Sequence, residues 1–145
     1  MAVSIRSARA DDAPRVAVLL DRLGYPADAA EVTARLKDWL DDRHSRLLVT
    51  EMEGLVAGFA ALHAFPLIEH SARRARLVAL VVDDAFHGKG VGRTLVEAAE
   101  DQARAWGCRD LEITSSRHRT GAHAFYARLG YTDTCEQAAR FLKPL

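Results

Sequence analysis

Apolar positions along the chain change period several times, and each change predicts an element. Val3 and Ile5 alternate with polar neighbours, which predicts a strand over residues 3–8. Asp11 or Asp12 then stands where a helix cap belongs, with Pro14 tolerated in the first turn. Val16, Leu19, Leu20 and Leu23 follow at i, i+3, i+4 and i+7 until Gly24 and Pro26 stop the run. Asp28 and Glu31 have the spacing of a capping box, and Val32, Leu36, Trp39 and Leu40 carry a second helix to Asp42. Residues 46–52 and 55–64 read as two strands of a hairpin turning at Glu53-Gly54. Residues 65–74, with Pro66 and mixed polarity, read as a loop, and residues 75–82 as the next strand. Leu77 to Val82 are apolar without alternation, which predicts a central strand covered on both faces. The chain then turns through Gly88, Gly90 and Gly92 into a helix through residues 94–106, with Val91, Leu95, Ala99, Ala103 and Trp106 on one face and Gly107 just past its end. Residues 110–115 alternate as a strand, residues 121–129 form a helix ending at Gly130, and residues 131–135 and 138–142 make a last short hairpin. The order β-α-α-β-β-β-α-β-α-β-β describes an α/β fold, a mixed sheet of about seven strands with about four helices. Its first half is antiparallel, and a right-handed parallel crossover joins the strand at 75–82 to the one at 110–115.

Composition bounds what such a fold serves. With 145 residues, 49% of them apolar, the chain is expected to be a single domain over residues 1–145. Lys plus Arg and Asp plus Glu number 20 each, so no net field draws the protein to nucleic acid or to an anionic membrane, and neither is an expected partner. No apolar run approaches the roughly 20 residues of a membrane span, and the first ten residues lack a signal-peptide core, so a cytoplasmic location is expected. Cys108 and Cys135 belong to no close motif and read as reduced thiols, and the six histidines lack metal-ligand spacing, so no metal is expected.

The informative stretch runs from Val81 to Arg93. An apolar strand ends there, three glycines follow at every second position, and a helix begins. Glycines so placed bare backbone N–H groups and let an anion sit against the helix start, which suits a phosphate or pyrophosphate. A Walker A loop ending at Gly88-Lys89 would need Gly at 83 and Ser or Thr at 90, where Asp83 and Gly90 stand. A dinucleotide fingerprint starting at Gly88 would need Gly at 93, which is Arg93, and a preceding βαβ unit that the element order lacks. What remains, His87-Gly88-Lys89-Gly90-Val91-Gly92, resembles the acetyl-CoA loop of the GNAT superfamily of N-acetyltransferases, whose pattern is Arg/Gln-x-x-Gly-x-Gly/Ala after a central strand. The block from Ala122 to Tyr131, with Phe125-Tyr126, resembles that family's second motif, and the element order agrees over essentially the whole chain. Two positions depart from the pattern: His87 stands for the usual Arg or Gln, and Arg119 for an Asn common seven positions before the family tyrosine.

The resemblance implies an acetyl-CoA-dependent N-acetyltransferase acting on a primary amine of a small molecule or peptide. The coenzyme A pyrophosphate would meet the N–H groups of residues 88–93, with charge from Lys89 and Arg93. Its pantetheine arm would pair with the backbone of Leu80, Val81 and Val82 along a strand edge opened by a bulge. Tyr126 is then implied as general acid for the departing thiolate, since a phenol ionising near pH 10 can protonate a thiolate whose thiol ionises near 8.5. Tyr126 also shares helical spacing with Ala122 and Leu129, which suits a core position, but adjacent Phe125 faces Leu129 as well and can fill that role, which favours the acid. The oxyanion would meet a backbone N–H of Val82 or a neighbour. No Glu lies on residues 77–82 to act as base; His63, Glu69, His70, Glu112 and His118 are candidates, each more often a solvated side chain than a base. Arg73, Arg74 and Arg76 read as a solvated face, whereas Arg117 and Arg119 would lie near the cofactor phosphates or an acidic substrate. The helix pair within residues 11–42 and the loop at 65–74 would shape the acceptor pocket. Dimers are frequent in the family, so a homodimer is an expectation. A CoA-binding module without turnover is the alternative from another functional class.

Overall fold

Strands of one mixed sheet lie side by side in the order of the chain. The computed structural model describes residues 3–115, 120–135 and 137–145. The element order is β1 (Ser4–Ser7), α1 (Ala13–Leu23), α2 (Ala29–Asp41), β2 (Ser45–Met52), β3 (Leu55–Pro66), β4 (Arg73–Val82), α3 (Val91–Ala105), β5 (Cys108–Ile113) and α4 (Thr120–Arg128), with short 3-10 turns at Ala10–Asp12 and Asp84–Phe86. Neighbours from β1 to β4 run antiparallel and β5 joins β4 parallel, as the β4-α3-β5 connection requires. Contacts divide the chain into two compact units, Met1–Thr114, which holds the sheet with α1 to α3, and Ser115–Leu145, which holds α4.

The period-2 alternation of the strands sorts side chains between two apolar clusters. Leu47, Val49, Phe59, Ala61 and Val81 face α1 and α2, where they meet Val16, Leu19, Val32 and Leu36. Leu48, Ala60, Leu62 and Leu77 face α3 and meet Val91, Leu95 and Ala99. Leu19, Leu62, Leu77 and Leu95 are fully enclosed, each contributing about 1.5–3 kcal/mol of burial.

Several expected boundaries shift, for identifiable reasons. The loop expected at 65–74 shrinks because β3 continues to Pro66 and β4 begins at Arg73, their ends held by pairs Phe65–Arg74 and Pro66–Arg73. Pro66 is tolerated because it is the last residue of its strand. Strand β5 begins at Cys108, two residues earlier than its alternation suggests, because Gly107 turns directly out of α3 with φ 75°. Asp28 caps α2 as expected, accepting the Glu31 N–H at 2.8 Å. Asp12 occupies the cap position of α1 but its carboxylate accepts instead from Arg9 N–H and from Arg6. The sheet has five strands rather than about seven. Among the described residues of 131–145 there is no strand, and Phe141 and Leu142 lie exposed. A five-residue segment is a strand only where a neighbouring edge accepts its hydrogen bonds.

Candidate active site

The site is built where β4 and β5 part. Their pairing runs from Arg73–Cys108 to Leu77–Ile113 and stops, while β4 continues to Val82. At the parting point β4 bulges: Leu62 pairs with Leu77 and Ala61 with Ala79, so Val78 is the extra residue. Val78 is 45% exposed, which corrects the expectation that this apolar run is covered throughout. Beyond the bulge the ladder to β3 is regular, and the Asp83 N–H donates to Ala57 O at 2.8 Å. Antiparallel pairs alternate between hydrogen-bonded and not, so Ala79 and Val81 turn their backbone groups to β3, and Leu80 and Val82 turn theirs to the edge that β5 has left. Of the three residues expected to offer backbone to an extended ligand, Leu80 and Val82 turn theirs to this open edge and Val81 turns its own to β3.

The next residue, Asp83, is a strut that sequence reasoning used only to exclude a Walker loop. Its buried carboxylate accepts from Ala85 N–H at 2.9 Å, from Arg22 at 2.7 Å and from Arg15. The Ala85 N–H first, then the guanidinium groups, hold the carboxyl below the ordinary carboxylate range. Arg15 also donates to Val56 O at 3.0 Å, tying α1, β3 and the end of β4 together. The signal was available: Arg15 and Arg22 lie seven apart, two helical turns along one line of α1. A second missed signal is Gly58 inside the apolar run of β3, which marks a close approach. A Cβ there would stand 2.6 Å from Val81 O and 3.2 Å from both Val91 and Leu95, so only glycine lets the start of α3 settle on β3.

From the Asp84–Phe86 turn the chain passes His87 and then Gly88 and Gly90, with φ of 75° and 80°. Only these two glycines make the turn, since Gly92 already belongs to α3. Gly90 is the cap residue, has no side chain to cap with, and no acidic residue follows in the first turn. The first intrahelical bond is Thr94 N–H to Gly90 O at 3.0 Å, so the N–H groups of Gly90, Val91, Gly92 and Arg93 precede the helical ladder. A Cβ added at Gly88 or Gly90 would meet nothing within 4 Å. Lys89 holds its ammonium 5.8 Å from the Phe86 ring centroid, and Arg93 pairs with Glu97 at 2.8 Å. Unladdered donors, open space and two cations fit a pyrophosphate. His87 is exposed, so the departure from Arg or Gln leaves the backbone donors in place.

Other candidates resolve differently. Arg74 and Arg76 stay open to solvent but are ion-paired there: Arg74 grips Asp110 at 2.8 and 3.0 Å, and exposed Arg76 meets Glu112 at 2.5 Å, each opposite its β5 partner in register. Arg73 donates toward His44 Nδ1 at 3.3 Å. Glu112 is thus committed to an ion pair, while Glu69 and His70 lie exposed in the β3–β4 turn. His63, on β3, has its Nδ1 3.0 Å from Ser45 Oγ. Arg117, His118 and Arg119 lie outside the described residues. In the second unit Tyr126 is half-buried on α4, its ring edge-on to Phe125 and Tyr131 at 5.4 and 6.2 Å, and its carbonyl accepts the Tyr131 N–H at 3.1 Å.

A mixed sheet whose fourth strand parts from the fifth and feeds an uncapped, glycine-opened helix is an α/β architecture with room and donors for an extended, anion-bearing ligand. Comparison gives this class its family: the model of the acetyltransferase (GNAT) family matches residues 11–131, and the chain belongs to it. It is 30% identical to the aminoalkylphosphonate N-acetyltransferase of Salmonella typhimurium over 97% of this chain and 90% of that one. It is 32% identical to the aminoglycoside N(6')-acetyltransferase type 1 of Stenotrophomonas maltophilia over 99% and 95%. In fold it resembles a GNAT family acetyltransferase of Staphylococcus aureus, with a TM-score of 0.82 at 24% identity over the full length of both chains. The chain is an acetyltransferase, and its family generally takes the acyl group from acetyl-CoA. Among the described residues no helix is long and apolar enough to cross a membrane.

Proposed function

We propose that this acetyltransferase moves an acetyl group from acetyl-CoA to a primary amine of a small molecule or peptide, with Tyr126 as general acid. The observation that carries the reading is the pairing of a strand edge, offered by Leu80 and Val82, with an uncapped helix start at Gly88–Gly90. An extended amide-bearing arm suits the first and a pyrophosphate the second. Acetyl-CoA supplies an acyl carbon activated as a thioester. The N–H groups of residues 88–93 hold the diphosphate, with Lys89 and Arg93 adding charge and Arg119 assigned to the same phosphates. The Val82 N–H, turned to the open edge, polarises the thioester carbonyl oxygen. Tyr126 Oη gives its proton to the departing sulfur and regains one from the acylated nitrogen.

Both named relatives acetylate an amine on a polar small molecule, an aminoalkylphosphonate in one case and an aminoglycoside in the other, which supports a small-molecule acceptor here. The family match runs across both compact units, which supports residues 1–145 working as one catalytic domain. A thiol-release screen over aminoalkylphosphonates, aminoglycosides, polyamines, amino acids and peptide N-termini tests the activity. Tyr126→Phe is expected to lower kcat about 10²-fold while leaving CoA affinity unchanged. An unimpaired Tyr126→Phe removes the acid assignment, and tight CoA binding with no turnover on any amine removes the transfer reading.

A further inference from the structure

We propose that His63 is the base that deprotonates the acceptor ammonium, and that Ser45 and Asp42 are positioning residues that hold it in the competent tautomer; this rests on the acetyl-transfer reading above. Ser45 Oγ lies 2.9 Å from Asp42 Oδ2 and 3.0 Å from His63 Nδ1. A hydroxyl has one hydrogen. Asp42 also accepts the His44 N–H at 2.8 Å, and these two donors keep its carboxyl below the ordinary range, so it is ionised and can only accept. The Ser45 hydrogen therefore goes to Asp42, its oxygen is left to accept, and His63 Nδ1 carries the ring proton. Nε2 is then the nitrogen with a free lone pair, the form a base needs.

Placement agrees. Ser45 is the β2 partner of His63 in register, so with Nδ1 anchored on that side Nε2 is turned away from β2. On the other side His63 stands opposite Arg76, one pair before Leu62–Leu77, where β5 leaves β4 and Val78 bulges. From strand spacings of about 4.8 Å across and 3.3 Å along, His63 lies about 8 Å from Ala79, the start of the open edge, within reach of a ring and an amine between them. The charged and titratable groups around it are Asp42 and His44 before β2, Arg76 on β4, and Arg73 and Glu112 behind them. Phe65, stacked on His63 at 6.2 Å and covered by Arg76 at 5.5 Å, limits ring rotation.

In the step itself Nε2 takes one proton from the ammonium, leaving a neutral amine whose lone pair forms the C–N bond as the C–S bond breaks. The second nitrogen proton is lost on collapse and replaces the one Tyr126 gave to sulfur. His63 then releases its proton to solvent, so one amide, one thiol and one free proton result.

Two readouts test this. In long-range ¹⁵N–¹H spectra of the free protein, the ring signals absent from His63→Gln are expected to show protonated Nδ1 and bare Nε2, and Ser45→Ala is expected to release that preference. In kinetics, His63→Gln is expected to lower kcat/KM for the amine about 10²-fold and to flatten its acid limb, with CoA affinity by calorimetry unchanged. Ser45→Ala and Asp42→Asn should fall about 5–10-fold and keep the limb, because a neutral imidazole without its partner is wrongly protonated only part of the time. A wild-type Nε2–H tautomer overturns the positioning chain. A fully active His63→Gln with an intact acid limb, beside an active wild type, overturns the base alone. Absence of transfer to every amine by the wild type overturns the reading on which both stand.

Discussion

Replacing Asp83 by Asn perturbs the joint between fold and site while keeping its shape. Asn Oδ1 can still accept the Ala85 N–H, so what is lost is the negative charge facing Arg15 and Arg22 together with the oxygen that accepts from Arg15, where an amide NH2 now stands. Arg15 is 18% exposed and Arg22 is 48% exposed, against 5% for the Asp83 side chain. Breaking a fully buried pair costs about 3–5 kcal/mol, and a half-exposed partner such as Arg22 adds less than about 1. Arg15 retains its bond to Val56 O, which softens the loss, so the expected destabilisation is about 2–3 kcal/mol. Urea unfolding at pH 7 should show a lower midpoint at unchanged slope. The pH dependence has a definite sign. The folded carboxyl is held below its unfolded value, so its stabilisation is complete above about pH 5, about one unit over the unfolded value, and drains away as pH falls through the lower folded value. The gap between wild type and Asp83→Asn should therefore be constant from neutral to about pH 5 and close on further acidification; Asp12, ion-paired in both proteins, cancels in the difference. A loss below about 0.5 kcal/mol, or a gap indifferent to acid, would refute the strut.

Gly58→Ala should cost about 1–3 kcal/mol by urea unfolding and weaken CoA binding as well, because the added carbon pushes on Val81 O and on Val91 at the helix start; wild-type stability would contradict the close approach. Gly90→Glu, at φ 80° and beside the unladdered N–H groups, should weaken CoA binding at least tenfold by calorimetry while circular dichroism stays native. Unchanged affinity would remove the loop from the site. The stabilisation from Asp12 follows the same rule as that from Asp83: the Arg6 guanidinium and the Arg9 N–H depress its carboxyl, so Asp12→Ala should lower stability to urea at neutral pH and make its fall on acidification shallower, the gap to wild type closing in acid.

Much of this protein is readable along the chain. The periodicity of Val16–Leu23 and Val32–Leu40 specifies two helices, the Glu53-Gly54 turn a hairpin, and the glycine spacing after Val82 an anion-receptive helix start, since each depends on interactions within a few residues. The family resemblance rests on the same local patterns. Other features depend on partners far away in sequence. Whether residues 131–135 and 138–142 pair as strands depends on edges elsewhere, which the local sequence does not carry. The bulge at Val78, the turning of Leu80 and Val82 to the open edge, and the closeness of Gly58 to Val91 are matters of register between strands. Along the chain Asp83 serves only to rule out a Walker loop; its role appears where α1 brings Arg15 and Arg22 to it, across 68 and 61 positions. That solvent-facing Arg74 and Arg76 are ion-paired depends on β5 setting Asp110 and Glu112 opposite them. Local sequence determines the elements and the loop, because backbone preference and apolar period act over one or two turns. The tertiary structure decides which charges are paired and which backbone groups are left open, because those depend on what the folded chain places next to them.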